Sequence, residues 1–292
     1  MKKRKIELAV ISDVHLGTPS SRTQELRNYL NSIQPKTLIL NGDILDTWNE
    51  NPEYFPNAHL KVIRKILSMA SKGTKVIYIT GNHDERLRRF STSFKGNLKI
   101  TDKLVLKLDG KKAWFFHGDI FDISTKNSKW IAKIGDAGYY ALQLLNRLNS
   151  WVLKKLEKPP YSLSDKLKKG ISSNIKTIEN FEKTVTELAI DNGYSYVICG
   201  HTHLPKKEVF FTNKGKCTYL NSGDWVENLT ALEYTFKRWK IYRYSHDKLI
   251  PFFVDEELKS KSIHELVASL YMSIPATQKI KEKTTKKESL LS

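Results

Sequence analysis

Five short segments concentrate the residue types that hold metal ions. They are Ser12-Asp13-Val14-His15, Gly42-Asp43-Ile44-Leu45-Asp46, Gly81-Asn82-His83-Asp84, His117-Gly118-Asp119 and Gly200-His201-Thr202-His203. Each follows directly on an apolar run, and five of the eight histidines fall in them. The other three, His59, His246 and His264, read as ordinary surface or internally satisfied residues. Asp13 and His15 are two apart, as are His201 and His203. In extended backbone such pairs face one side, so each pair is expected to serve a single site. Glycines 42, 81, 118 and 200 are expected to let the chain turn sharply beside the ions. Carboxylate, imidazole and amide oxygen without thiolate suit Mn²⁺, Fe or Zn²⁺. A lone Asp-X-His or His-X-His carries little information; five such segments at five strand ends point to a dinuclear centre. Asp46 has a simpler alternative, that of a turn residue of the N-cap type.

The elements that must position these segments follow from periodicity. Ile6–Ser12, Thr37–Leu40, Val76–Thr80 and Ser195–Cys199 read as short buried strands. Thr23–Ile33, stopped by Pro35, and Ala58–Ala70, closed by Gly73, have helical spacing. Strands alternating with helices predict a largely parallel sheet, with all five segments at its carboxyl edge, where ligands bind in open α/β sheets. Lys103–Leu108 and Lys112–Phe116 flank Asp109-Gly110-Lys111, a hairpin signal. The stretch from Lys207 to Tyr244 reads as several antiparallel strands.

Composition narrows the class. The chain has 292 residues, of which 40% are hydrophobic and 11% aromatic, enough for a substantial core and too apolar for global disorder. Forty-nine Lys+Arg against 31 Asp+Glu leave a formal charge of +18, which calls for an anionic partner such as nucleic acid, acidic lipid or a phosphorylated substrate. The two cysteines, Cys199 and Cys217, cannot build a disulfide framework and fit a reducing compartment. No run approaches the roughly 18 apolar residues of a membrane span. Met1-Lys2-Lys3-Arg4-Lys5 imitates the start of a signal peptide, but the apolar run after it is too short, so a cytoplasmic location is expected.

Two regions break the strand rhythm. Residues 122–190 read as a mostly helical insertion in a domain spanning 1–250. Between Trp130 and Leu156 apolar residues fall at 130, 134, 137, 141, 144, 148, 151 and 152, and others widen this stripe. A second stripe, Ile171, Ile175, Ile178, Phe181, Val185 and Leu188, is expected to pack against it. From 122 to 185, twelve Lys+Arg face six Asp+Glu, a net of +6. A basic, apolar-faced cap beside an anion-binding centre suits an amphiphile, with membrane nearby. Residues 251–292 read as a C-terminal helix and a Lys-rich tail.

Taken in order, D-x-H, G-D-x-x-D, G-N-H-D, H-G-D and G-H-T-H resemble the motifs of the calcineurin-like metallophosphoesterases. The resemblance implies a four-layer α/β/β/α sandwich, here with a helical cap insertion, and two divalent ions, Mn²⁺ first with Fe or Zn²⁺ as alternatives. By motif, Asp13, His15, Asp43 and His203 would hold one ion, and Asp43, Asn82, His117 and His201 the other, with Asp43 bridging. Such ion pairs lower the pKa of a shared water and so generate a nucleophile at neutral pH. His83 would protonate the leaving oxygen or stabilise the transition state, and Asp46 would orient it. The cap between the H-G-D and G-H-T-H motifs, with the run Tyr219–Trp225, is similar to the UDP-2,3-diacylglucosamine pyrophosphatase branch. That branch acts on a lipid-linked nucleotide in lipid A synthesis, which implies a place on the cytoplasmic face of the inner membrane. It carries G-N-R-D where this chain has His83. The alternatives are a nuclease, a general phosphodiesterase or phosphatase of the same superfamily, and a non-catalytic scaffold on this fold.

Overall fold

The computed structural model describes residues 3–46, 55–90, 94–121, 164–248 and 265. Alternation along the central strands sorts their side chains onto two faces. In β1 (Arg4–Ile11), Leu8 and Val10 enter one apolar layer while Ala9 and Ile11 enter another. β2 (Ile33–Asn41) and β3 (Lys75–Ile79) divide the same way, Ile39, Ile77 and Ile79 to one side, Leu38, Leu40, Val76 and Tyr78 to the other. Strands buried on both faces must be covered on both faces. The outer cover is a pair of helices, α1 (Thr23–Ser32) and α2 (Asn57–Ser71), which place Leu26, Tyr29, Leu30, Val62 and Ile66 on the sheet.

The inner cover is a second sheet, not helices. The first sheet has seven strands in the order β12-β11-β1-β2-β3-β5-β4, with β4 at Phe94–Lys95, β5 at Leu98–Thr101, β11 at Thr230–Thr235 and β12 at Arg238–Arg243. The second has five in the order β6-β7-β8-β10-β9, comprising Lys103–Leu108, Lys111–Phe116, Tyr196–Cys199, Gly215–Asn221 and Lys206–Thr212 respectively. Ala113, Phe115, Ile198 and Leu220 of this sheet meet Leu8, Val10 and Ile39 of the first. Its outer face, through Trp114, Phe116, Val197, Cys199 and Tyr219, is covered by α3 (Ser164–Asp191) with Phe181, Val185 and Ala189. The layers therefore run α/β/β/α.

Several expectations change here. The four-layer α/β/β/α sandwich forms as the resemblance implied, while the largely parallel sheet expected from periodicity is two sheets, each parallel at its centre and antiparallel at its edges. The antiparallel stretch after Lys207 is divided between them: β9 pairs with β10, which also runs parallel to β8, while β11 pairs with β12 and β1. Pro35 does not stop α1. The helix ends at Ser32, and parallel pairing of Arg4 with Ile33 and Ile6 with Pro35 draws that segment into β2. Phe181 and Val185, expected to face the 130–156 stripe, lie on the second sheet. That stripe, the N-terminal boundary of the insertion and the tail beyond 265 lie outside the described residues. The β6–β7 hairpin forms as expected. Asp109 and Gly110 turn it with φ of 46° and 82°, positive at both central positions as a two-residue hairpin loop of this twist requires. Among the described residues no helix is long and apolar enough to cross a membrane.

Candidate metal centre

The five segments meet at one place because the carboxyl ends of both sheets open on the same edge. β1, β2 and β3 deliver residues 12–15, 42–46 and 81–84; β7 and β8 deliver His117 and residues 200–203. Three groups of donors result, each with its atoms within 4.8 Å of one another: Asp13, His15 and His203; His15, Asp43 and His83; Asp43, His117 and His201. Asp43 and His15 are each shared by two groups. Asp13 and His15 thus fall together, but His201 and His203 divide between groups that share no residue.

The backbone explains the division. Asp13, His15, Asp43, His201 and His203 all have positive φ, from 51° to 67°. The expectation of extended pairs fails at both D-x-H and H-x-H, because left-handed residues break the two-residue alternation. Such conformations are costly for residues with a Cβ and persist only where their surroundings enforce them. Here the amides of Asp13, Val14, His15 and Leu16 donate in succession to the carbonyls of Gly42, Asp43, Asp43 and Ile44, at 2.9–3.1 Å. The Asp13 carboxylate in turn accepts the His201 amide at 3.1 Å.

Two of the glycines act differently from expectation. Gly42 and Gly118 do have positive φ. Gly81 and Gly200 do not; they make room. A Cβ on Gly81 would sit 2.3 Å from Asp43 Oδ1, and one on Gly200 would sit 2.6 Å from Asp13 Oδ2.

The electrostatics are those of a site built for cations. His15 Nε2 and His203 Nε2 face each other at 3.4 Å, and His203 Nε2 is 3.3 Å from Asp13 Oδ1. His117 Nδ1 donates to the Asn41 carbonyl at 2.9 Å, which aims Nε2 at Asp43 Oδ2, 3.1 Å away. Burial works to raise the Asp43 pKa, but the His117 imidazole overrides it and holds the carboxyl below the usual carboxylate range. Burial likewise works to lower the His117 pKa, and Asp43 reverses this, lifting it well above the ordinary imidazole value. A hydrogen bond to Asp13 raises His203. His15 goes the other way, lowered chiefly by burial. Asn82 Oδ1 is buried and makes no hydrogen bond. An orphaned amide oxygen, converging imidazoles and buried carboxylates form a donor set that a divalent cation satisfies. His83 stands at the rim, its side chain 29% exposed, with Nδ1 3.1 Å from Asp46 Oδ2 and Nε2 4.0 Å from Asp43 Oδ2. Asp46 Oδ2 also lies 3.6 Å from His15 Nδ1.

Further residues brace the site without having been singled out for it. Asp84 is fully buried and accepts from the Gly81 amide, the Ile44 amide at 3.0 Å and the Tyr78 hydroxyl at 2.6 Å, so it ties the second and third segments together. Burial, with Asp43 nearby, lifts its pKa to about 6. Asp224 gathers the amides of Val226, Glu227 and Asn228, and Asn228 Nδ2 passes from Asp224 to the His203 carbonyl at 2.9 Å. Arg88 pairs with Asp119. Asp84, Asp119 and Asp224 lay within motifs already noted; Arg88 and Asn228 carried no sequence signal. His59 is buried and satisfied, and Cys199 and Cys217 are buried free thiols.

A calcineurin-like phosphoesterase family model matches residues 6–205, from β1 through the last of the five segments. Three curated relatives are each named UDP-2,3-diacylglucosamine hydrolase. The protein of Aliivibrio fischeri is 25% identical over 73% of this chain and 86% of its own length. That of Blochmanniella pennsylvanica is 25% identical over 72% and 84%. That of Xanthomonas campestris is 24% identical over 76% and 92%. With the donors, the layers and the family model in agreement, the chain belongs to the calcineurin-like phosphoesterases and is a phosphoester hydrolase.

Proposed function

We propose that this hydrolase cleaves the diphosphate bond of UDP-2,3-diacylglucosamine or a similar lipid-linked nucleotide in lipid A biosynthesis. The observation that carries the reading is the set of relatives bearing that activity in their names, which this chain matches over 84–92% of their length. Asp13, His15, Asp43 and His203 would hold one divalent ion and Asp43, Asn82, His117 and His201 the second, with Mn²⁺ as the first choice. Bound there, the ions would supply Lewis acidity toward the phosphoryl oxygens and activate water.

The chain's own groups do the rest. Asp43, shared by two donor groups, fixes the spacing between them. His117 is held by Asn41 so that only Nε2 faces inward. Asp46 secures Nδ1 of His83, which leaves Nε2 to give its proton to the departing oxygen. The apolar stripe of the 122–190 insertion would shelter acyl chains, and its basic residues would favour an anionic membrane surface on the cytoplasmic side.

A general phosphodiesterase is the second reading, favoured by His83, the superfamily form of the third motif where the lipid-processing branch carries Arg. The test is turnover by purified enzyme with Mn²⁺. UDP-2,3-diacylglucosamine is compared with bis-p-nitrophenyl phosphate, p-nitrophenyl phosphate and double-stranded DNA. Preferred release of UMP from the lipid-linked nucleotide supports the first reading; preference for the small diester or DNA replaces it.

A further inference from the structure

His59 lies outside the five segments, yet it completes the hydrogen bonding of the first of them. From Asp13 to Leu16 each amide donates to a carbonyl of residues 42–44. The next amide, Gly17 N–H, donates instead to a side chain, His59 Nδ1, at 2.9 Å. Gly17 has a φ of 107°, and on either side of it the Leu16 carbonyl accepts the Asp46 amide at 2.8 Å and the His15 carbonyl accepts the Thr18 amide at 3.1 Å. His59 sits in the first turn of α2, 5% exposed, its ring edge-on to Phe55 with centroids 5.6 Å apart. A Cβ at Gly17 would meet the same Phe55 ring at 3.7 Å and the Asp46 carbonyl at 3.3 Å. The loop bearing His15 is thus pinned at one end to β2's loop and at the other to α2.

An imidazole can accept at Nδ1 only when neutral, with its proton on Nε2. Burial lowers the pKa of His59 and favours that form. A buried amide that loses its acceptor must find another or shift, and a shift at Gly17 is transmitted through one residue to His15.

We propose that His59 is a positioning residue of the metal centre: by accepting the Gly17 amide it fixes the left-handed turn that presents His15 to a divalent ion. The inference rests on the metal-binding reading above and adds a residue to it from outside the donor motifs. Groups that orient metal ligands from behind are worth about 10- to 100-fold in metal affinity or activity.

Two substitutions separate the acceptor from the ring. His59→Asn keeps an oxygen close to the position of Nδ1 and removes the ring; His59→Phe keeps the ring and removes the acceptor. Mn²⁺ affinity is measured by titrating the metal-free protein and reading free Mn²⁺ by electron paramagnetic resonance. kcat and KM are measured on bis-p-nitrophenyl phosphate, and melting of the metal-free protein checks folding. His59→Phe should weaken Mn²⁺ binding and lower kcat by about 10- to 100-fold with KM changed little, while His59→Asn stays within about threefold of the parent. If His59→Phe does not fold, His59→Leu repeats the acceptor-free arm. Unchanged Mn²⁺ affinity in a folded acceptor-free variant overturns the proposal. So does a loss in His59→Asn equal to that in His59→Phe, which would make the role one of packing. Failure of the parent to bind Mn²⁺ would instead overturn the metal-centre reading beneath it.

Discussion

Asp43 and His83 stand a few ångströms apart and should behave oppositely on mutation. Asp43 belongs to two donor groups and accepts the His83 amide at 2.9 Å. Asp43→Ala should lose at least one metal equivalent by elemental analysis and lower turnover by on the order of 10³-fold or more, because generation of the nucleophile fails. His83→Ala should keep both metals and lower kcat by about 10²- to 10⁴-fold, the usual range for a lost general acid. The loss should shrink with p-nitrophenolate, a leaving group that needs no proton. If metal content falls in His83→Ala as it does in Asp43→Ala, His83 is a ligand, a role its place beside His15 and Asp43 would allow. Both residues were visible in the sequence as types and spacing. The family resemblance implied their division of labour, with Asp46 orienting His83, and the structure adds the contact on which it rests, Asp46 Oδ2 3.1 Å from His83 Nδ1 across two strand ends.

At the scale of elements, the site depends on close approach between loops from different strands. Gly81 follows β3 and carries no positive φ, so its need for glycine lies in the space occupied by Asp43. That carboxylate cannot swing away without giving up the His83 amide. Gly81→Ala should therefore weaken Mn²⁺ binding by about tenfold or more, in line with losses from disturbed ligand support. An unchanged Mn²⁺ titration would show that the loops can separate at little cost. The glycine itself was legible in the sequence, but its reason was misread, because steric exclusion by a residue 38 positions away leaves no local pattern. The strands tell a similar story. Their apolar runs announced burial on both faces and the resemblance implied a second sheet, and the structure identifies the inner cover of β1–β3 as Phe115, Ile198 and Leu220.

At the scale of the whole molecule, a cation held by donors from both sheets would tie the layers together, and its binding would be linked to stability and to pH. The folded protein holds His117 and His203 at raised pKa values through Asp43 and Asp13. A cation needs neutral imidazoles, so protons must leave as it binds, and affinity should fall as pH drops through those raised values. A ligand at 100 times its Kd stabilises by about 2.7 kcal/mol. Mn²⁺ should therefore raise Tm more at pH 8 than at pH 6, and chelation should abolish both the increment and turnover. A Tm increment independent of pH would mean that these histidines do not compete with protons for the ion.

What the sequence determined by itself was local: which runs are buried, where the strands end, and that metal-type donors cluster at those ends in a recognisable order. These follow from periodicity and residue chemistry within a few positions. The family resemblance already implied that His201 and His203 serve different ions; the structure adds the reason, left-handed backbone at both ligands that overrides the alternation their spacing suggested. The tertiary structure alone decided two further things. Pro35 entered a strand because pairing of β2 with β1 outweighed its local tendency to break structure. Phe181 and Val185 covered the second sheet, since an apolar stripe specifies burial but not the surface that buries it. In each case the deciding contact joins residues distant in the chain, and short-range patterns carry no record of it.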